Sequence, residues 1–276
     1  MQHSMFHIFR NSPLGRENLL QSLYFCRTVG NLTLNVYQPV TTKFVIYCEN
    51  ETVSVDLDAS YLQYASTAGD HLDTLLADAA VPWKRFVPEG KTASTLPDIP
   101  GDWTLMACPR VISEKSNRIG LGYLGSKVRS IMKVAPFAAF IPCQAYKPWT
   151  RVGVFFGGSE LGLRAVKLAR AIAKRAEMPL TIYTQLDGLD RQQCQQMLVS
   201  IGLDDLEHNE NRRWVTFETK TLKENLYAVS SESLVVLGVR GDSPLKKMLF
   251  GHTLEMIQSE LPNPLLLVGP NYQHRL

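Results

Sequence analysis

Three glycine-containing segments in the second half of the chain have residue types that could bind a phosphate group. They read Gly157-Gly158-Ser159, Gly238-Val239-Arg240-Gly241 and Gly251-His252-Thr253. Glycine permits positive φ and lets the backbone approach a ligand closely. Free N–H groups at the start of a helix attract an anion. The three segments therefore predict a phosphate cradle built from backbone amides, provided that the fold brings them together.

No other motif of established chemistry accompanies these glycines. The chain has no GxxxxGK[ST] and no GxGxxG after a strand, which excludes a P-loop and the usual dinucleotide fingerprint. It has no GxSxG for a serine nucleophile, and its histidines lack the spacing of zinc ligands. The acidic group at residues 204–210 lies in a polar linker, where we expect a solvated loop. We therefore predict no catalytic residue and no metal site.

Composition narrows the class of protein. The 276 residues are 45% hydrophobic and 20% charged, which is typical of a soluble globular protein. The net charge of +3 is divided evenly between the halves, so we expect no nucleic-acid partner. The apolar runs are far shorter than the roughly 20 residues of a membrane-spanning helix, and no signal-peptide pattern begins the chain. We expect a cytoplasmic protein with no membrane partner, whose five cysteines are ordinary thiols.

The second half alternates apolar strands with amphipathic helices, the pattern of a parallel sheet covered on both faces. The sequence predicts strands over 151–156, 180–186, 213–219, 233–238 and 264–269. It predicts helices over 159–177, 189–201, 221–231 and 253–261. The expected strand order is 3-2-1-4-5, which places a ligand crevice beyond the carboxyl ends of the first and fourth strands. Both of those strands end at a glycine-containing segment.

The first half repeats this plan at two places. Ser12-Pro13-Leu14-Gly15 lies 147 residues before Ser159-Glu160-Leu161-Gly162, and each segment follows an apolar strand and opens a helix. Gly125-Ser126 lies 126 residues before Gly251-His252, and each precedes a proline and an apolar strand. The two offsets differ by 21, so about that many residues are inserted in the first copy.

The inserted residues and the boundary between the copies follow from these offsets. We place the insertions in residues 41–60, which alternate like a hairpin, and in the proline-containing loop 88–102. The boundary lies between residues 146 and 147, beside Lys147-Pro148. The predicted fold class is α/β, with two tandem doubly wound domains, each built on a five-stranded parallel sheet. Residues 1–146 form the degenerate domain, and residues 147–276 form the domain that carries the glycine motif.

The spacing of the glycines supports a family resemblance. Gly238, Gly241 and Gly251 have the spacing Gly-x2-Gly-x9-Gly, followed by a helix and a Pro-apolar strand. This arrangement resembles the universal stress protein family of UspA type, from the first to the fifth strand of the second half and more weakly across the first half. The whole chain therefore resembles a tandem-domain member. The resemblance implies the adenine nucleotide alpha hydrolase-like, Rossmann-like fold and ATP or another adenine nucleotide as cofactor, with or without Mg²⁺.

The resemblance also implies which residues meet the nucleotide, with adenine near the end of the second strand. The implied nucleotide-binding residues are Gly157, Gly158, Ser159, Thr184, Gln185, Gly238, Val239, Arg240, Gly241, Gly251, His252 and Thr253. Two positions depart from the family pattern. The aspartate that usually follows the first strand is Gly157 here, which removes a contact to ribose or metal. The Ser or Thr after the third glycine is His252 here, which removes a hydroxyl donor to the terminal phosphate.

The first half departs further from the family pattern. Arg10-Asn11-Ser12 follows its first strand, and counting back from Gly125 places Lys115 and Ile112 where the other two glycines should be. These side chains cannot offer the same close approach of the backbone. We expect the first half to bind no nucleotide in the family manner, with Gly125-Ser126 serving as a structural helix start.

Two functions stay open on the sequence, and a third is disfavoured. The first is a regulatory stress-response protein that binds ATP, ADP or AMP in the C-terminal domain, with slow hydrolysis at most. The second is a nucleotide-free scaffold that presents surfaces to a protein partner. An adenine-binding transferase would need a metal or a lysine near the phosphates, and the sequence offers neither. The resemblance also implies that the last strands, 137–142 and 264–269, pair within one chain as an internal pseudo-dimer, with a homodimer still open.

Overall fold

One ten-stranded sheet runs through both halves of the chain. The structure is a computed structural model, and it describes residues 3–49, 51–63, 65–88, 96–112, 124–204, 206, 210–239, 252–273 and 276, with only the backbone of residues 65, 252, 253 and 255. None of the helices within these ranges is long and apolar enough to cross a membrane.

The described part of the first half contains strands β1 (His3–Ile8), β2 (Leu32–Tyr37), β3 (Lys43–Cys48), β4 (Glu51–Asp56), β5 (Trp83–Phe86), β6 (Asp98–Pro100), β7 (Leu105–Ala107) and β8 (Ala138–Ile141). Its helices are α1 (Pro13–Val29), α2 (Ala65–Ala77) and α3 (Ser126–Val134), with a 3-10 turn at Ala59–Tyr61. The predicted helix starts at Pro13 and Ser126 are both confirmed.

The second half contains strands β9 (Arg151–Phe155), β10 (Leu180–Gln185), β11 (Arg212–Phe217), β12 (Ser233–Gly238) and β13 (Leu265–Val268). Its helices are α4 (Glu160–Arg175), α5 (Arg191–Val199), α6 (Leu222–Asn225), which continues as a 3-10 turn over Leu226–Ala228, and α7 (His252–Glu260). Each predicted strand and helix is present within a few residues of its expected bounds. The third helix is shorter than predicted because it tightens into the 3-10 turn.

The order of strands in the large sheet is β11-β10-β9-β12-β13-β8-β7-β1-β2-β5. The second half therefore has the predicted order 3-2-1-4-5, and the first half has the same order about a pseudo-twofold axis. The halves meet where β13 pairs antiparallel with β8, which aligns Leu266 with Phe140. The other neighbours in this sheet are parallel. The predicted pairing of the two last strands is confirmed.

A small second sheet, in the order β4-β3-β6, is built from the inserted residues. The β3–β4 hairpin comes from the predicted insertion at 41–60, and β6 comes from the loop 88–102. Its apolar side packs against the large sheet, where the rings of Phe44 and Tyr37 lie 5.9 Å apart. In the second half a short helix, α6, connects the third and fourth strands of the large sheet. In the first half the described part of that connection contains strand β6, so the copies differ here as well as at the β3–β4 hairpin.

The repeated Ser-x-x-Gly segments have one physical explanation in both halves. Each serine caps its helix, since the Oγ atoms of Ser12 and Ser159 accept from the N–H groups of Gly15 and Gly162 at 3.1 Å. Each glycine lets the first turn approach the end of the preceding strand. A Cβ at Gly15 would lie 2.0 Å from the carbonyl oxygen of Arg10, and one at Gly162 would lie 3.1 Å from the ring of the residue after β9.

The connection between the halves, residues 142–150, has no helix or strand and lies against α1. The Gln21 side chain donates to the Cys143 carbonyl at 2.8 Å and accepts from its N–H at 2.9 Å. The Tyr24 hydroxyl donates to the Trp149 carbonyl at 2.6 Å. The boundary predicted between residues 146 and 147 falls within this segment, and the division into two domains stays a prediction.

Candidate functional site

The predicted crevice lies where the first and fourth strands of the second half end side by side. β9 and β12 are parallel neighbours, and the pair Phe155–Leu237 brings their carboxyl ends together. The strands beside them, β10 and β13, lie on opposite sides, so the strand order reverses at this point. Loops diverge at such a switch point and leave room for a ligand.

The turn after β9 is open at one glycine and packed at the next. Gly157 is exposed, and a Cβ there would meet no atom of the described residues within 4 Å. Gly158 has φ +63°, and a Cβ there would lie 3.3 Å from the sulfur of Cys194. The hydroxyl oxygen of Ser159 is used as the cap of α4. Gly157 is therefore the residue of this turn that leaves free space beside the crevice.

The turn after β12 begins with two residues that are packed. A Cβ at Gly238 would lie 3.1 Å from the carbonyl oxygen of Leu161 and 3.2 Å from its Cγ, so glycine is needed here for the first turn of α4 to approach. Val239 is buried, and its N–H donates to the carbonyl of Val268 at 2.8 Å. Both residues have a structural role that the spacing of the motif did not indicate.

The remaining residues of the glycine motif stay predictions. Arg240, Gly241 and Gly251 lie outside the described residues, and so do the side chains of His252 and Thr253. The backbone of the last two residues forms the start of α7.

The two residues predicted to lie near adenine use their side chains within the protein. Thr184 is fully buried, and its hydroxyl oxygen accepts from the indole N–H of Trp214 at 2.9 Å. The Gln185 side chain accepts from the Asn225 amide at 2.8 Å and donates to the Lys220 carbonyl at 3.3 Å. These bonds attach β10 to its neighbour β11 and to the start of α6. The side chains of Thr184 and Gln185 therefore help to build the wall of the crevice.

An aromatic row near the ends of β9, β10 and β11 was missed by sequence reasoning. The rings of Phe155 and Tyr183 have centroids 5.5 Å apart, and those of Tyr183 and Phe217 are stacked at 6.1 Å. Burial raises the pKa of Tyr183, so its phenol stays protonated at neutral pH. The signal in the sequence was an aromatic residue at or near the end of each strand. Phe155 and Phe217 are half-buried and present flat apolar surface.

Among the described residues, acid–base groups are sparse around the crevice. The Cys194 thiol beside Gly158 has its pKa raised by burial and, to a smaller extent, by the carboxylate of Asp190, so it is protonated and a weak nucleophile. Across the described ranges, no three His, Cys, Asp or Glu residues are grouped as metal ligands. The chemistry on offer here is binding through backbone amides and flat apolar surface.

The equivalent turn of the first half is occupied by side chains. Arg10 stands where Gly157 stands in the second half, with its guanidinium 4.0 Å from the Asp58 carboxylate and 5.5 Å from the centroid of the Tyr61 ring. Ile112 is fully buried, and Lys115 lies outside the described residues. The expectation that this half binds no nucleotide stays a prediction, and the position of Arg10 favours it.

Comparison with known proteins gives a likeness in structure only. No family model matches the sequence, and no curated protein is similar enough to be matched. A universal stress protein from Archaeoglobus fulgidus DSM 4304 is 17% identical with a TM-score of 0.66, covering 98% of this chain and 99% of that one. A putative universal stress protein from Pseudomonas aeruginosa UCBPP-PA14 is 14% identical with a TM-score of 0.56, covering 98% and 94%.

A more distant likeness shows that this fold occurs elsewhere. The cytoplasmic domain of a prokaryotic cation chloride cotransporter is 9% identical with a TM-score of 0.51, covering 99% of this chain and 98% of that one. At these identities the comparisons establish the fold and nothing finer. Along nearly its whole length, the chain has the α/β, Rossmann-like fold of the universal stress proteins.

Proposed function

We propose that the protein is a stress-response protein that binds an adenine nucleotide at the carboxyl ends of β9 and β12, and that binding regulates it without catalysis. One observation carries the proposal: the two strands are neighbours, and each ends at a glycine turn. The fold shared with universal stress proteins supports it.

The backbone groups around the crevice are suited to binding a nucleotide. Gly157 leaves space that any side chain would take, and the amino end of α4 follows directly. The first turn of a helix offers unpaired N–H groups and a partial positive charge to a phosphate. The half-buried ring of Phe155 provides flat surface on which a base could stack. A bound nucleotide would thus be held by backbone amides and by contact with apolar surface. Any Mg²⁺ would be bound by the phosphates of the nucleotide.

Thermal unfolding with and without excess ATP and Mg²⁺ tests the proposal. A ligand that binds only the folded state stabilises it by about 2.7 kcal/mol at a hundredfold excess over Kd, which is about 5 °C or more in Tm for a chain of this size. Gly157→Leu puts a side chain into this space, where a Cβ meets no atom of the described residues within 4 Å, so the variant should fold normally and lose the shift. Asp204→Leu, an exposed change after α5, should keep it.

Restoring the aspartate of the family pattern gives a second test, in which nucleotide binding should become stronger instead of being lost. Gly157→Asp restores the carboxylate of the family pattern at an exposed position where a Cβ meets nothing within 4 Å. A charged hydrogen bond to the ribose contributes about 1.5–3 kcal/mol, so Kd should fall by tenfold or more. An unchanged Kd, together with an unchanged shift in Gly157→Leu, would place any bound nucleotide elsewhere.

A nucleotide-free scaffold is the second candidate function. The side chains of Thr184 and Gln185 are used within the protein, and the space at Gly238 is filled by Leu161. No Tm shift with ATP, ADP or AMP would favour this function. Light scattering on the purified chain would then show whether the partner is a second copy.

A further inference from the structure

A cleft of about 670 Å³ lies in the first half, beside β5 at the outer edge of the large sheet. On one side it is lined by residues of the large sheet and on the other by residues of the small sheet: Asn35, Lys84 and Phe86, and Tyr47, Asp98 and Pro100. Its volume falls within the roughly 300–1,000 Å³ of small-molecule sites. The inserted residues create one of its walls, and the crevice at β9 and β12 lies in the other half of the chain.

An amide side chain, Asn35, lies in a mostly apolar strand at this cleft. β2 reads LTLNVY, and strands buried in a parallel sheet are usually apolar throughout. Asn35 pairs with Lys84 on β5, and Phe86 follows two residues later, so the three side chains share one face. The Asn35 amide donates to the Thr33 carbonyl at 3.2 Å, and Asn35 lines the cleft. Asn35 and Lys84 are therefore neighbours at the floor of the cleft.

Lys84 supplies the charge that selects a ligand. Its side chain is exposed and has no ion-pair partner in the part of the chain that the structure describes. Arg85 also lines the cleft, and its guanidinium is paired with the Asp73 carboxylate at 2.6 Å. Asp98, which also lines the cleft, has an interaction partner of its own. An anion entering the cleft would thus meet an available ammonium group.

Aromatic rings supply the apolar part of the cleft. Phe86 is held edge-on by Phe6 and by Trp103, with centroids 5.4 Å away in each case. Tyr47, from the small sheet, is 41% exposed and lines the opposite side. Rigid aromatic rings with exposed surface bind planar apolar groups. The cleft therefore combines the ammonium of Lys84, an amide and aromatic surface within reach of a single small molecule.

We propose that this cleft binds a small organic carboxylate with a planar apolar body. The carboxylate is held by Lys84 with Asn35 beside it, and the planar body lies against Phe86 and Tyr47. The cleft is independent of the proposed nucleotide site, so failure of ATP to bind leaves this proposal standing.

An NMR titration with 1-naphthoate tests the proposal on the full chain. The indole N–H signal of Trp103 reports occupancy because this ring touches Phe86. We expect a saturable shift with the wild type and with Lys167→Gln, an exposed control on α4. Lys84→Gln removes a charge-assisted hydrogen bond and should weaken binding by about tenfold or more. The neutral alcohol 1-naphthalenemethanol should bind the wild type about as weakly as naphthoate binds Lys84→Gln.

A second variant tests the aromatic wall. Tyr47→Ala removes an exposed ring, so the chain should fold normally and bind naphthoate several-fold more weakly. If both variants unfold at the same midpoint as the wild type, their fold is intact. Absence of a saturable shift, equal binding of acid and alcohol, or unchanged affinity in Lys84→Gln would each overturn the assignment.

Discussion

A buried histidine in the first half should make the protein sensitive to acid. His7 lies on β1 with 3% of its surface exposed. The Ser22 hydroxyl donates to the Asn18 carbonyl at 3.1 Å, so its oxygen accepts from Nδ1–H of His7 at 3.0 Å. Nε2 has no hydrogen-bond partner within the described residues. A proton added to Nε2 would be a buried charge with no acceptor, and burial lowers the pKa of His7 from 6.5 to about 3.

The sign and size of the effect follow from proton linkage. As the pH falls below 6.5 the unfolded chain takes up a proton at His7, whereas the folded chain stays neutral until about pH 3. The contribution of the neutral residue to stability is therefore complete above pH 6.5. It is lost between pH 6.5 and pH 3 at about 1.4 kcal/mol per pH unit. By pH 5 the loss is about 2 kcal/mol.

Urea unfolding at pH 7.5 and pH 5.0 measures this loss. His7→Gln keeps an amide that can donate to Ser22 and does not titrate. The free energy of unfolding of the wild type should fall between the two pH values by about 2 kcal/mol more than that of His7→Gln. His71→Gln, a change at an exposed histidine, serves as the control and should respond like the wild type. If His7→Gln loses as much stability as the wild type, His7 is not the buried neutral base described here.

Two packing predictions follow, both measured by urea unfolding at neutral pH. Gly15→Ala places a Cβ 2.0 Å from the Arg10 carbonyl oxygen and should cost about 3 kcal/mol, at the upper end of overpacking. Gly157→Ala, with nothing within 4 Å, should change stability by less than about 0.5 kcal/mol. Phe140→Ala should cost about 3–5 kcal/mol, because Phe140 is buried between the halves with its ring 5.0 Å from that of Phe25. Equal stability of the two glycine variants, or a loss under about 1 kcal/mol for Phe140→Ala, would contradict this packing.

Much of the fold could be predicted from local patterns. Continuous apolar runs such as 233–238 mark strands buried on both faces, and Ser159 with the following periodic residues marks a capped helix. The strand order followed because successive parallel strands with right-handed crossovers have few arrangements. The offset between the repeated segments also located the two insertions. It could not show that they meet, because the pairing of β3 with β6 joins residues about fifty positions apart.

The candidate site could be predicted in position and not in detail. The glycines after β9 and β12 were predicted to lie at one edge of the sheet, and they do, since parallel strands end together. Their separate roles depend on neighbours that local spacing does not encode. Gly157 is open, whereas the space at Gly238 is filled by Leu161 from another element. The hydroxyl of Thr184 is likewise used by Trp214, thirty residues away.

The amino-acid sequence by itself determined which segments become strands and helices, where the helices are capped, and at which edge of the sheet the glycine turns after β9 and β12 lie. These properties depend on residues close together in the chain, through side-chain periodicity and backbone hydrogen bonding. Only the tertiary structure decided that Arg10 occupies the turn of the first half and that Asn35 and Lys84 share a cleft with an inserted sheet. Such contacts join distant segments, and which side chain fills a given space is decided when those segments pack together.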